Sequence, residues 1–240
     1  MLPSAIRNRE HSSFRREATF RAEPHALTDQ VLGDLDLSVR REDIAAGIYL
    51  LHGLMTVREC KRLIAAADAR GFSHAGLAVG DDTYRVNLAA RNNERVVLDA
   101  PSLAAGLWPR LRHLVDPVHD GAPVHSVNTR FRVYRYTAGQ RFAPHVDVRT
   151  MVPGGETRYS LMVFLSDDFT AGETRFFEQK DRNARRGQGR ARKFDNRVRF
   201  SLRPAIGGAV VFDHLLLHEG AEVTAGIKYA VRTDLVHSPR

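Results

Sequence analysis

The chain changes its hydrophobic period near residue 124, and this change limits its fold more than any other feature. Before it, apolar residues recur at helical spacing in two stretches, and after it they alternate over several short segments. Turn residues separate the strand candidates, which are 124–136, 158–165, 173–177, 198–202, 209–212 and 227–236. Helices followed by many short strands predict an α+β, mainly β protein, with a closed or double-sheet β-structure backed by N-terminal helices.

The first helix has clear start and stop signals. Thr56 and Glu59 have the spacing of a capping box, and Gly71 is a suitable end after an apolar face. Cys60, the single cysteine, lies on that face, so we predict a buried core residue and no disulfide or cysteine-based zinc site.

A second helix is predicted to follow Pro101, with Ser102 as its N-cap. Pro109 lies inside the helical pattern, where proline removes a hydrogen bond, so a kink or break is expected there. Residues 47–51 are predicted to form a strand ahead of both helices.

The chain is predicted to have one main domain. Residues 1–42 mix arginine with glutamate without periodicity, which indicates a flexible N-terminal extension; the acidic residues disfavour a mitochondrial transit peptide. Residues 43–240 then form the domain, with helical support over 43–120 and the β core over 121–240. Without a long apolar run or a secretory signal, a soluble cytoplasmic protein is expected, with no membrane partner.

The positive charge is concentrated in one predicted loop, residues 180–203. It carries ten Lys and Arg against two Asp, which equals the formal net charge of +8 for the whole chain. The loop can be a substrate lid, an anion-binding surface or a mobile solvated segment. Because the remainder is nearly neutral and the loop has few aromatic residues, a nucleic-acid partner is not expected.

One short motif suggests metal chemistry. His145 and Asp147 form the only His-x-Asp in the sequence, and residues i and i+2 of a strand point to the same face. A second histidine would complete a two-His, one-carboxylate triad, which leaves coordination positions open and suits non-haem Fe(II).

Two histidines, His214 and His218, could supply the third ligand, and spacing alone leaves both open. Lys228, ten residues after His218, favours the latter. A lysine that points into a β-barrel needs an anion there, because a buried unpaired ammonium is very unfavourable, and a dicarboxylate co-substrate would provide one.

Three blocks in order resemble the prolyl 4-hydroxylase-like 2-oxoglutarate/Fe(II) dioxygenases, and the resemblance runs from about residue 130 to 236. Residues 136–147 are similar to the family's Tyr…Gly-Gln…Pro-His-x-Asp segment, and 171–176 to its Gly-Gly-x-Thr-x-Phe strand. Ala171 departs from the first glycine of that strand. The last block combines 208–212 with His-Glu-Gly at 218–220 and Lys-Tyr at 228–229.

The resemblance implies a double-stranded β-helix (jelly roll, cupin-like) in which His145, Asp147 and His218 hold Fe(II). It also implies a 2-oxoglutarate site, where Lys228 pairs with the far carboxylate. Tyr136 and Thr174 would assist by hydrogen bonding. Arg232, four residues after Lys228 and on the same strand face, is the alternative to the lysine, able to take or share its role.

The implied reaction is oxidative decarboxylation of 2-oxoglutarate by O2 to succinate and CO2, coupled to oxidation of an unactivated C–H bond. Fe(II), 2-oxoglutarate and O2 are therefore expected, with ascorbate as an optional addition. Because Asp147 is present, the halogenase variant, which has Ala or Gly there, is disfavoured.

The substrate is less constrained. Arg91, Asn128, Arg130 and Arg132 are predicted to line the pocket mouth and bind an acidic or polar substrate, although a solvated strand face explains them almost as well. The first expectation is hydroxylation of a free amino acid or a small natural-product intermediate. The second is hydroxylation of a peptidyl-proline or another protein residue. A non-catalytic barrel that binds metal or an anion is the third. The oligomeric state is left open.

Overall fold

A computed structural model of the protein describes residues 19–21, 23–33, 38–80, 83–178 and 197–239. Within these ranges the N-terminal part contains two helices among short strands. They are β1 (Thr19–Arg21), β2 (His25–Ala26), β3 (Arg40–Ala45), β4 (Ile48–His52), α1 (Val57–Asp68), β5 (Ser73–His74), β6 (Leu77–Gly80), β7 (Thr83–Arg85), β8 (Glu94–Asp99) and α2 (Pro101–Leu111).

The described C-terminal part consists of strands, as the period-two pattern predicts. They are β9 (Val118–His119), β10 (Ala122–Val127), β11 (Arg130–Tyr136), β12 (Phe142–His145), β13 (Met151–Val152), β14 (Gly155–Phe164), β15 (Phe169–Ala171), β16 (Thr174–Phe177), β17 (Val198–Leu202), β18 (Ala209–Asp213), β19 (His218–Gly220), β20 (Val223–Gly226) and β21 (Lys228–His237).

Two sheets form the core. The large sheet has the main order β2-β8-β11-β21-β14-β18-β4-β3, and the small sheet has the order β12-β19-β16-β17. Side chains from β11, β14 and β21 of the large sheet line one cavity together with side chains from β12 and β19. The two sheets therefore face each other across this cavity, as expected for a double-stranded β-helix.

Both helices support the outer face of the large sheet. Thr56 and Glu59 make the predicted capping box at the start of α1, and Gly71 follows the helix with a φ of +76°. Cys60 of α1 and Leu107 of α2 are buried in one apolar cluster with Leu161 of β14. Neither α1 nor α2, nor any other stretch of the described chain, forms a helix suited to crossing a bilayer.

Two details of α2 differ from prediction. Its N-cap is Ala100, which makes no side-chain capping bond, so the assignment of Ser102 was wrong. Pro101 instead occupies the first helical turn, where its fixed φ is favourable and its missing N–H is not needed. The helix also continues past Pro109 to Leu111, because a proline this close to the end removes only one late intrahelical bond.

The region 43–120 supplies strands to the large sheet besides its helices. β4 pairs with β18, and β8 pairs with β11. Residues 94–99 are not among the strand candidates of the sequence, since Val96, Val97 and Leu98 are consecutive apolar residues without alternation. All three are buried, as in a strand that is covered on both faces.

The described part of residues 1–42 is docked and does not extend away from the domain. Leu27 and Val31 are buried in the same apolar cluster as the helices, and β3 crosses the predicted boundary at residue 42. Isolated apolar residues in a polar segment gave no periodic signal in the sequence. Residues 1–18 lie outside the described ranges.

The strand candidate at 198–202 is confirmed, so the basic loop ends before residue 198 and not at 203. Val198–Leu202 is strand β17 and pairs with β16 in the small sheet. Arg203 donates two hydrogen bonds, to the carbonyls of Asp167 and Phe169. Residues 179–196, with most of the positive charge, lie outside the described ranges.

Candidate metal centre and its cavity

Three side chains with metal-binding atoms meet where β12 and β19 pair. His145, the last residue of β12, stands opposite His218, the first residue of β19. After β12 ends, the backbone N–H of Asp147 donates to the carbonyl of His214 at 2.8 Å and continues this pairing. The pairing therefore brings His145, Asp147 and His218 to one point.

The distances between the three side chains fit one metal ion. One nitrogen or oxygen atom from each lies within 4.8 Å of the others. His145 Nε2 is 3.8 Å from Asp147 Oδ1, and His218 Nε2 is 3.7 Å from Asp147 Oδ2. Two imidazoles and one carboxylate form the donor set that non-haem Fe(II) sites use, so the residues fit that metal.

Backbone carbonyls set the orientation of both imidazoles. His145 Nδ1 lies 2.9 Å from the carbonyl oxygen of Ala143, and His218 Nδ1 lies 2.9 Å from that of Leu216. A carbonyl only accepts, so each Nδ1 carries the proton and each Nε2 keeps its lone pair for a metal.

Asp147 is held at both oxygens. Ser160 Oγ donates to Oδ2 at 2.5 Å, and Arg232 Nη1 donates to Oδ1 at 2.6 Å. Burial would raise the pKa of this carboxyl, but the charge of Arg232, followed by the two histidines, lowers it far below its usual range. Asp147 is therefore an anion at neutral pH.

Both histidines are neutral at the same pH. Burial lowers the pKa of His145 well below its usual value, and the nearby His218 lowers it further. Burial likewise lowers the pKa of His218, although Asp147 opposes this effect. Neutral imidazoles beside an ionised carboxylate are the protonation states that metal binding requires.

Lys228 lies in the same cavity, which has an empty volume of about 380 Å³ including its open mouth. The side chain is almost fully buried, and its Nζ donates to the carbonyl of Gly172 at 2.7 Å. Among the described residues, no carboxylate forms a salt bridge with it. Burial lowers the pKa of Lys228 to about 7, with Glu173 opposing and Arg203 adding to the effect. This lysine can therefore accept an anion that arrives with a ligand.

Tyr136 and Thr174 differ in their distance from the cavity. Tyr136 lines it, and Lys228 Nζ lies 5.2 Å from the centroid of the Tyr136 ring. Burial raises the pKa of Tyr136 to about 12, so its hydroxyl is a proton donor at neutral pH. Thr174 is buried next to Met162, with Oγ1 3.6 Å from the sulfur, and is not among the lining side chains.

Ala171, the departure from the family motif, has a backbone φ of +60°. That region is unfavourable for residues with a Cβ, by about 1–2 kcal/mol, and it favours glycine. The following residue, Gly172, also has a positive φ and supplies the carbonyl that Lys228 contacts. Ala171 thus adopts a backbone conformation that a glycine at this position would adopt at lower cost.

Arg232 lines the cavity but has two carboxylate partners of its own. Besides Asp147, its Nη2 donates to Asp234 Oδ1 at 2.9 Å. The structure therefore places Arg232 beside the metal centre, where its charge is already neutralised.

Two of the predicted substrate residues contact Asp234 and a third contacts one of these two, and none of the three lines the cavity. Arg132 Nη1 donates to Asp234 Oδ2 at 3.1 Å, and Asn128 Nδ2 donates to the same oxygen at 3.4 Å. The backbone N–H of Arg130 donates to the side chain of Asn128. Arg91, the fourth, is buried against two lining residues, Tyr134 and Phe142.

His214 lies outside the cluster of potential metal ligands. Its ring is fully buried, with Nε2 3.3 Å from Asp234 Oδ1. The structure thus brings His218, and not His214, to His145 and Asp147.

Some residues of the site gave no sequence signal. Ser160, which bonds Asp147, is an ordinary strand residue in the sequence, and Tyr134, Phe142 and Met162 match apolar positions of the core. The strand alternation places Tyr134 on the same face as Tyr136, which could have indicated one of them.

The comparisons with known proteins agree with this geometry. Residues 131–233 match the model of the 2OG-Fe(II) oxygenase superfamily, and the search of curated proteins finds no match. The fold is similar to a Pseudomonas putida prolyl-4-hydroxylase, with 14% identity, a TM-score of 0.52, and coverage of 79% of this chain and 92% of that one.

It is also similar to a prolyl hydroxylase from Trichoplax adhaerens, solved in complex with a hypoxia inducible factor oxygen degradation domain peptide fragment. That similarity has 13% identity and a TM-score of 0.55, and covers 79% of this chain and 83% of that one. These structures support the predicted jelly-roll fold, and the family match supports Fe(II), 2-oxoglutarate and O2 as the cofactor and co-substrates. Residues 131–233 thus match the 2OG-Fe(II) oxygenase superfamily, and this match, with the cluster of His145, Asp147 and His218, supports a 2-oxoglutarate-dependent dioxygenase whose fold is similar to that of prolyl 4-hydroxylases.

Proposed function

We propose that this dioxygenase hydroxylates an unactivated C–H bond of a small molecule, a free amino acid or a natural-product intermediate. The observation that carries the 2-oxoglutarate-dependent chemistry is that His145 and His218 of the ligand cluster line the same cavity as Lys228, which has no carboxylate partner among the described residues. A dicarboxylate can reach both, with one end at the metal and the other at the ammonium.

In this proposal His145 and His218 each offer Nε2 to Fe(II), and Asp147 offers a carboxylate oxygen. Bound Fe(II) supplies the redox chemistry that couples O2 and 2-oxoglutarate to oxidation of the substrate. The two carbonyl contacts keep both imidazoles in the binding tautomer, and Ser160 and Arg232 keep Asp147 ionised and oriented.

Lys228 is proposed to bind the far carboxylate of 2-oxoglutarate, with the Tyr136 hydroxyl as a second donor. An ion pair inside a buried cavity is strong because water does not screen it. Thr174 lies behind Met162, which lines the cavity, so we assign it a packing role. We assign Arg232 to the support of Asp147 and not to the binding of 2-oxoglutarate.

Hydroxylation of a protein residue is the second candidate. The Trichoplax adhaerens prolyl hydroxylase with the similar fold was solved with a peptide fragment. In this chain Val146 and Val148, which flank Asp147, are exposed apolar residues, as expected beside a docked polypeptide.

The test is anaerobic binding of Fe(II) and 2-oxoglutarate, followed by their visible charge-transfer band. We expect the band in the wild type, its loss in His218→Ala, and its retention in His214→Asn, the matched control four residues away. Under O2, the wild type should form succinate from 2-oxoglutarate and the His218 variant should not.

Absence of the band in fully metallated wild type would refute the proposed chelate. Loss of the band in His214→Asn but not in His218→Ala would assign the third ligand to His214. With small molecules and peptides compared as substrates, succinate formation that responds to peptides alone would favour the second candidate.

A further inference from the structure

Arg91 is buried against the wall of the cavity. Its guanidinium carbon lies 4.1 Å from the centroid of the Phe142 ring and 4.7 Å from that of Tyr134, and both rings line the cavity. A backbone bridge between Arg91 and Phe142 holds the side chain there, and only 5% of the residue is exposed.

This guanidinium has no carboxylate partner within the described chain. Its Nε donates to the neutral amide oxygen of Asn93 at 2.8 Å, and its buried Nη2 has no hydrogen-bond partner among the residues described. By contrast, the buried Arg110 and Arg158 pair with Glu59 and Glu156.

A buried unpaired cation is unfavourable because burial removes its hydration without replacing it. The two aromatic rings offset part of this through cation–π contact, and the Tyr136 hydroxyl accepts a hydrogen bond from the guanidinium, but none of these groups carries a negative charge. Arg91 is thus in the same condition as Lys228, a buried cation beside the cavity without a counter-ion.

The two cations have different surroundings. Phe142, which Arg91 covers, stacks on His145 with 3.5 Å between ring centroids, and Arg91 also donates a hydrogen bond to the Tyr136 hydroxyl. Lys228 instead lies 4.8 Å from the centroid of Phe164 and is influenced by Glu173 and Arg203. An anion at Arg91 would lie near the metal ligands, where the oxidised substrate must also bind.

We infer that Arg91 is the anion-binding residue for the primary substrate, and that this substrate carries a free carboxylate. The inference rests on the proposed function and narrows it: Lys228 binds the co-substrate and Arg91 binds the substrate. A free amino acid meets this requirement, and so does the C-terminal carboxylate of a peptide, whereas a residue inside a chain does not.

The test uses the anaerobic Fe(II)·2-oxoglutarate enzyme and a panel of amino acids in three forms: the free acid, the amine without the carboxylate, and the N-acetyl methylamide. Free peptides that end in the same residue form a fourth arm and separate the two sources of carboxylate. Binding is followed by the change in the charge-transfer band and, under O2, by substrate-dependent succinate.

We expect free acids to bind the wild type and the amines and methylamides not to. In Arg91→Gln the affinity for the acid should fall about 10- to 100-fold, because a charge-assisted hydrogen bond is lost. The affinity for 2-oxoglutarate should fall much less than that for the acid, because Lys228 stays in place, and Arg91→Lys should recover part of the loss. Arg141→Gln, an exposed arginine next to Phe142, is the matched control and should behave as the wild type.

Metal-free stability separates this role from a structural one. Removing a charge without a counter-ion should not lower the melting temperature, whereas removing a structural arginine would. The inference is overturned if amines or methylamides bind as well as acids, if Arg91→Gln keeps wild-type affinity, or if no acid in the panel binds. Absence of the charge-transfer band in the fully metallated wild type would instead refute the proposed function itself.

Discussion

Two buried regions of this protein differ in whether their positively charged side chains have a carboxylate partner. Where α1, α2 and the N-terminal segment meet, Arg110 contacts Glu59 through two nitrogens, at 2.7 and 2.9 Å. Glu59 also accepts the backbone N–H groups of Gly33 and Thr56. In the cavity, Lys228 and Arg91 are buried without a carboxylate partner among the described residues.

This difference distinguishes buried charges that stabilise the fold from buried charges that can bind a ligand. Burial would raise the pKa of Glu59, but the Arg110 hydrogen bonds, followed by those from the backbone, lower it to about 2, so that charge is compensated within the fold. Burial lowers the pKa of Lys228 to about 7, which shows that its charge is not compensated. An unpaired buried cation is therefore the better indicator of a ligand site.

The largest effect is expected from removing one partner of the compensated pair. Arg110→Met leaves Glu59 buried without its cation and should lower the free energy of unfolding by about 3–5 kcal/mol. Urea unfolding of the metal-free protein measures this loss of stability. The control is Arg112→Met, which changes an exposed arginine directly after α2. A loss below about 1 kcal/mol would show that this pair is no different from a surface ion pair.

The second effect is expected from Lys228→Met, and it depends on pH. Between about pH 7 and pH 10.5 the unfolded lysine is protonated and the folded one is not, so the stability of the metal-free wild type should rise with pH. The slope should approach about 1.4 kcal/mol per pH unit. Below that window both states are protonated, and the cost of burying the charge is fully present.

The variant should lack this slope and should be no less stable than the wild type at pH 7, while losing the additional stabilisation that 2-oxoglutarate gives to the Fe(II)-loaded protein. Unfolding measured across the pH window, with wild type minus variant as the readout, isolates this lysine from other groups. Equal slopes in the two proteins would mean that Lys228 has a counter-ion in the folded state.

The smallest effect tests whether the two roles of Glu59, in the capping box of α1 and in the ion pair with Arg110, are separable. Thr56→Ala removes the hydroxyl that caps α1 but leaves Arg110 paired, so we expect a loss of about 1 kcal/mol. Thermal unfolding beside Arg110→Met provides the comparison, with Thr56→Ser as the conservative control. A loss as large as that of Arg110→Met would mean that the cap and the ion pair form one cooperative unit.

Local spacing made much of the fold predictable. The capping box at Thr56, the strands of the second half and the pairing of His145 with Asp147 on one face all follow from repeats over two to four residues. The strand β8 and the docked Leu27 and Val31 did not follow, because their burial depends on segments far away in the chain and leaves no local period.

The sequence by itself indicated the reaction class and the three candidate ligands, since His145, Asp147 and His218 belong to short motifs whose order resembles that of one family. Only the tertiary structure decided the partners around them. Ser160 and Arg232 contact Asp147 although they lie 13 and 85 residues away in the sequence. Arg132 and Asn128 hydrogen-bond Asp234 and do not line the cavity. Spacing fixes which face of a strand a side chain occupies, whereas the pairing register between distant strands decides which charges meet and which stay unpaired.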